Sequence, residues 1–134
     1  MKFTLLIALS VSSLVAGKGV LSLTEPDWNV VHTQGKVHFV VVNKGGGLDQ
    51  ADYRRAMAAV CPPGKDCQAL FWRRGDDIPD SVPLSYTNAA RLMAFYAVQS
   101  DSRVGLQRWN CQFFTSDLSD VCLSRAALDA VIQP

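Results

Sequence analysis

The chain has 134 residues, with apolar side chains at 49%, charged ones at 19% and a formal net charge of +1. That length holds one domain with a single hydrophobic core, and the composition excludes a disordered chain. The balanced charge, with no long run of Lys or Arg, excludes a dedicated nucleic-acid or anionic-membrane binder, which needs a basic stripe to displace condensed counterions.

Residues 1–17, MKFTLLIALSVSSLVAG, read as a cleavable signal peptide. Lys2 gives the positive start, an apolar stretch follows to Val15, and Val15 with Gly17 suits a signal peptidase, so the mature chain is expected to begin at Lys18. The apolar stretch is shorter than the roughly 20 residues that cross a bilayer. No stable membrane insertion is expected after cleavage, and residues 18–134 form the exported domain, periplasmic or extracellular.

Export sets the reading of the four cysteines. In an oxidising compartment an even number of cysteines forms disulfides. Cys61 is expected to pair with Cys67 and Cys111 with Cys122, because each pair is close in sequence and the first closes a loop containing Pro62, Pro63 and Gly64. The spacings C-x5-C and C-x10-C fit no zinc signature. No metal and no cofactor is expected.

The mature chain opens on an extended lead-in to Pro26, because proline disfavours helix at the residue before it. Residues 28–33 and 36–43 (WNVVHT and KVHFVVVN) flank Gln34-Gly35 and predict a β-hairpin. In the second strand Val37, Phe39 and Val41 alternate with His38, Val40 and Val42, which predicts a central strand covered on both faces. Gly45-Gly46-Gly47 lacks the spacing of a phosphate-binding loop and reads as a flexible connector. Asp49 then caps a helix reaching about Val60, with Tyr53, Ala56, Met57 and Val60 on its apolar stripe and Arg54 and Arg55 on a solvated face.

The cysteine loop leads into a strand over 68–73, buried on both faces, with Leu70 and Trp72 opposed to Ala69 and Phe71. Helix between strands makes a β-α-β unit. Residues 73–80 form the most charged surface of the chain, and Arg74-Gly75-Asp76 within it is a common loop composition. Asp76 and Asp77 lack the ordered set of about six oxygens that calcium needs. Ser85 or Thr87 is expected to cap a second helix running to about Ser100, with Ala89, Leu92, Met93 and Tyr96 as its stripe. A last strand over 106–114 would put Gln107, Trp109, Cys111 and Phe113 on one face. The tail, 115–134, reads as helical, with Leu118, Val121 and Cys122 in a first piece and Ser124 capping a second that holds Leu128, Val131 and Ile132.

These elements predict an α+β fold: a small mixed β-sheet, two main helices packed on it, a C-terminal helical tail and two disulfides. Catalytic signals are sparse. No G-x-S-x-G or S-x-x-K motif occurs, Glu25 is the only glutamate, and the hairpin register puts His32 and His38 on opposite faces. No catalytic residue is assigned. The expected function is protein binding, as an inhibitor or immunity-type partner or as an accessory subunit of a cell-envelope complex, with Arg73, Arg74, Asp76, Asp77 and Arg108 as candidate contacts. The alternative is a small secreted hydrolase using His32 or His38.

Overall fold

The computed structural model describes residues 26–114 and 121–131. The signal segment 1–17, the expected start at Lys18, Glu25, Leu118 and Ile132 lie outside the described residues. Among the described residues five strands form one mixed sheet in sequential order: β1 (Trp28–Gln34), β2 (Val37–Val42), β3 (Cys67–Arg73), β4 (Ala94–Val98) and β5 (Leu106–Trp109). Of these five strands β2 and β3 run parallel, and the other neighbouring pairs are antiparallel. Helix α1 (Gln50–Val60) joins the parallel pair, α2 (Tyr86–Arg91) precedes β4, and α3 (Arg125–Val131) lies beyond β5. The domain is α+β, as its patterning predicts.

Strand β3 is buried from Cys67 through Trp72, because apolar cores cover both sheet faces. On one face Val40, Val42, Ala69 and Phe71 meet Tyr53, Ala56 and Met57 of α1. On the other, Phe39, Leu70 and Trp72 meet Val82 and Leu84 of the proline-marked connector, Leu92 and Leu128 of α3. Each layer is anchored by local chemistry. Asp49 accepts a hydrogen bond from the Ala51 N–H at 3.0 Å, which caps α1 as expected. Ser85 caps α2 by accepting from the Asn88 N–H at 3.1 Å, and Ser124 accepts from the Ala127 N–H at 3.1 Å.

Two expected elements are corrected. The second helix stops at Arg91, and 94–98 is strand β4, paired antiparallel with β3. The expected helical stripe divides instead: Met93 joins one core and Leu92 the other. An apolar run covered on both faces satisfies helical and strand periods alike, and pairing with β3 decides between them. The Met93 N–H donates to the Phe71 carbonyl at 2.8 Å, which commits the backbone to the sheet.

The last strand ends at Trp109 rather than Phe114. Asn110 turns the chain: its side-chain amide donates to the Leu92 carbonyl at 3.0 Å and its Oδ1 accepts from the Gln112 N–H at 3.0 Å. Phe114 is therefore buried, Phe113 faces outward and Cys111 is exposed instead of facing inward beside the aromatics.

Both expected disulfides are present, Cys61–Cys67 and Cys111–Cys122. The second ties the returning chain to β5, where Trp109 and Cys122 form a parallel bridge and the Leu123 N–H donates to the Trp109 carbonyl at 2.7 Å. Among the described residues no helix is long and apolar enough to cross a membrane.

Trp72 is fully buried, stacked on Phe39 at 6.0 Å, and its indole N–H donates to the Asn88 carbonyl at 3.0 Å. Trp72→Ala is expected to cost about 3–5 kcal/mol, the range for removing a large aromatic from a packed core. Urea unfolding followed by fluorescence of the remaining tryptophans measures it.

Candidate functional site

Arg73 is the last residue of β3 and shares the sheet face of Ala69 and Phe71 by strand alternation. Its guanidinium lies over the Phe113 ring, 4.8 Å from the centroid. One turn into α1, Arg54 sits similarly over Trp109 at 5.4 Å. Beneath the two cations Tyr53, Trp109 and Phe114 pack edge to face, with centroids 5.3 to 6.2 Å apart. An arginine over an aromatic face gains cation–π attraction and keeps its donors turned toward solvent.

The glycine triplet shapes the floor of this site. Instead of a plain flexible link it forms a 3-10 turn, Lys44–Gly47, with φ of +60°, +68° and +74° at its three glycines. Gly47 is buried, and its carbonyl accepts a 2.6 Å hydrogen bond from the Tyr53 hydroxyl. Burial pushes the Tyr53 phenol well above its usual range; the nearby Arg73 charge opposes that shift and Asp76 adds to it. A Cβ at position 47 would stand 2.7 Å from Arg73 Cγ and 3.0 Å from Tyr53 Oη. Only glycine lets the turn press against both side chains.

The candidate contacts fall into two groups. Arg73, Arg74, Asp76 and Asp77 stand together at the turn after β3, closed by the Asp76 N–H donating to the Arg73 carbonyl at 3.3 Å. Its far side is tied to α2, since the Asn88 amide donates to the Asp77 carbonyl at 3.3 Å. Arg108 is not with them. It pairs with Phe95, which belongs to the opposite core from Phe71, so Arg108 and Arg73 occupy different faces of the sheet. Its guanidinium donates to the Gln107 carbonyl at 2.9 Å.

Sequence reasoning did not find Phe113 or Arg54 as parts of this surface. Phe113 carries no local signal beyond the turn-forming Asn110, and Arg54 reads like any exposed helical cation. The adjacent Asp52, which has no sequence signal of its own, is buried at 1% exposure and compensated by an ion pair with Arg55.

The histidines keep the separation the hairpin predicts, on a shifted register. The turn residues are Gly35 and Lys36, flanked by the pair Gln34 and Val37, because Gly35 takes φ +58° at the first turn position, as primed hairpin turns require. His32 faces Phe39 and His38 faces Thr33. The imidazoles therefore lie on opposite faces. His38 shares a 3.0 Å hydrogen bond with the Thr33 hydroxyl, and the His32 ring meets Phe39 edge on at 6.5 Å. Among the described residues no group of three or more His, Cys, Asp or Glu side chains is placed to hold a metal.

Compared with protein-family models, curated proteins and solved structures, the chain matches none.

Gly47→Ala is expected to cost at least about 1–2 kcal/mol, the left-handed penalty plus displacement of Arg73. Gly46→Ala has φ +68° but nothing within 4 Å of the added Cβ, so it is expected to cost about 1 kcal/mol. Paired urea melts separate the two terms.

Burial lowers the His38 pKa below the ordinary 6.5. The unfolded chain therefore binds more protons than the folded one below that pH, and His38 favours folding fully only above it. Stability is expected to fall as pH drops from 6.5 through the lowered folded value, and His38→Gln is expected to flatten that slope in a urea midpoint series.

Proposed function

We propose that this is an exported protein-binding module, acting in the periplasm or outside the cell once residues 1–17 have been removed. The observation that carries this reading is the Arg73 guanidinium held over Phe113, a ring 47% exposed, beside the rigid charged turn. Arginine and aromatic side chains dominate the energetic centres of protein interfaces. Here they are ordered before any partner arrives: Arg73 by the end of β3 and by Gly47, Phe113 by the Asn110 turn and the Cys111–Cys122 disulfide. Ordering side chains in advance reduces the entropy lost on association.

The two disulfides support an oxidising location. A small rigid domain of this kind suits an inhibitor or immunity-type partner of one enzyme, or an accessory subunit of a cell-envelope complex. The first predicts stoichiometric loss of an enzyme activity, and the second predicts co-purification with membrane proteins. The alternative, a small hydrolase, would have to work with His32 or His38 singly, because the sheet separates them.

The test is a crosslinked pull-down from envelope and culture extracts with the oxidised protein, alongside Arg73→Ala/Phe113→Ala. One dominant partner is expected, with affinity lowered at least about tenfold in the double variant, as for loss of an interface hot spot. A partner retained equally by the variant would move the binding surface elsewhere. Unchanged near-ultraviolet circular dichroism of the variant shows that the fold is intact.

A further inference from the structure

We propose that the Cys111–Cys122 disulfide is a thiol-exchange site, opened by an external dithiol of the reduced Cys-x-x-Cys class, and that its opening releases α3 and Phe113 while the Cys61–Cys67 disulfide stays closed on the sheet. The exchange stands apart from the partner reading above; its effect on partner binding rests on that reading.

The two disulfides sit in opposite surroundings. Cys61 is 0% exposed and Cys67 6%, and both belong to the core that α1 covers. Cys111 is exposed and Cys122 half-buried. Both line a cavity of about 480 Å³ that Ala89 of α2, Asn110 and Arg125 also border, a space within the range that admits a ligand-sized group. Thiol–disulfide exchange needs one sulfur open to an incoming thiolate, and exposed disulfides are the labile ones. Cys67 borders a cavity of its own, about 750 Å³, yet the low exposure of Cys67 and Cys61 leaves almost no surface for attack.

One thiolate of the dithiol attacks Sγ of Cys111, the more exposed member. The Cys111–Cys122 bond breaks, a mixed disulfide forms on Cys111, and Cys122 leaves as a thiolate. The second thiolate of the dithiol then attacks the sulfur of its own mixed disulfide and frees Cys111. The chain ends with two thiols, and the dithiol is oxidised to a disulfide. Arg125 lines the same cavity, and a guanidinium there favours the thiolate as leaving group; its ion pair with Asp129 at 3.4 Å tempers that charge. The bond being opened holds an element with few other ties. α3 sets Leu128 into the core beside Leu92, while Arg125, Ala126 and Asp129 are exposed. Its remaining anchors are the Leu123 N–H bond to the Trp109 carbonyl at 2.7 Å and the Arg125 guanidinium donating to the Leu84 carbonyl at 3.0 Å. Phe113 stands two residues beyond Cys111, so the same opening removes the tie that keeps its ring under Arg73.

The experiment treats the oxidised protein with graded dithiothreitol in the absence of denaturant, blocks free thiols with iodoacetamide, maps them by mass spectrometry and follows hydrogen exchange on the same samples. Cys111 and Cys122 are expected to be blocked at least about tenfold faster than Cys61 and Cys67, the order that exposure sets. Glutathione in place of dithiothreitol is expected to leave its mixed disulfide on Cys111. In the selectively reduced chain the amides of α3 and of Phe113 lose protection while those of β3 keep it. Equal rates at the two disulfides, earlier reduction of Cys61–Cys67, or no reduction before the chain unfolds overturns the proposal. So does selective reduction that leaves exchange in α3 unchanged, and a mixed disulfide on Cys122 overturns the order of attack. Cys111→Ser/Cys122→Ser is expected to show the loosened α3 without reductant, and the unmutated chain decides the matter where this variant fails to fold. Loss of the pull-down partner on selective reduction supports the link to the binding surface, and a partner held equally by the reduced chain overturns that link. Finding no partner at all counts against the binding reading and leaves the exchange result standing.

Discussion

A strand buried on both faces has no water for its backbone, so every N–H and C=O along it must find a partner in a neighbouring strand. β3 is in that position from Cys67 to Trp72. Its parallel partner is β2, and a parallel pair needs a crossover, which α1 supplies together with one of the two cores. Its other partner is β4. The Cys61–Cys67 disulfide sets where the chain returns, at the first residue of β3. The hydrophobic cover on each face, the short α2 and the late arrival of Leu128 all serve the same requirement, that Leu70, Phe71 and Trp72 be dry on both sides.

What could be read from the sequence follows from how local each signal is. β2 and β3 are legible because apolar residues stand at consecutive positions between turn residues, and α1 because Asp49 precedes a stripe at helical spacing. The disulfides are legible because near neighbours in sequence are near in space. β4 is not, since LMAFYAV contains an acceptable helical stripe and only the open side of β3 distinguishes the readings. The end of β5 depends on Asn110, whose side chain reaches the Leu92 carbonyl, a contact eighteen residues away in sequence. Alternation alone carries the strand too far and turns Cys111 inward.

The candidate site shows the same division. A cluster of charges after β3 is visible in the sequence, and so is its place on a turn. What converts it from plain solvated surface into a packed cation–aromatic contact is not visible: Phe113 reaches Arg73 only after the chain has turned at Asn110 and been tied back by Cys111. Gly47 adds a second long-range condition, because the buried glycine presses on Arg73 and Tyr53. Arg108 fails to join for a reason of parity. Ala94 pairs with Trp109 and Phe95 with Arg108, so adjacent residues of β5 look to opposite cores, and the tryptophan takes the face with Arg54 and Arg73.

The unequal edges of the sheet follow from the same central strand. Because β3 occupies the middle, β2 needs an outer neighbour to complete its own hydrogen bonds, and the hairpin through Gly35 provides β1 at the lowest cost in loop closure. Val37, Phe39, Val40 and Val42 are buried, while positions 29–33 of β1 remain exposed, so β1 contributes backbone pairing far more than core. A strand with that duty alone tolerates Lys, Glu or Pro on its outer side, the residues that protect edges elsewhere. Val30 and Val31 stand there instead, 46% and 40% exposed, and the edge carries a different device, the bulge between Val30 and His32, which interrupts the ladder and turns the strand out of line for further pairing.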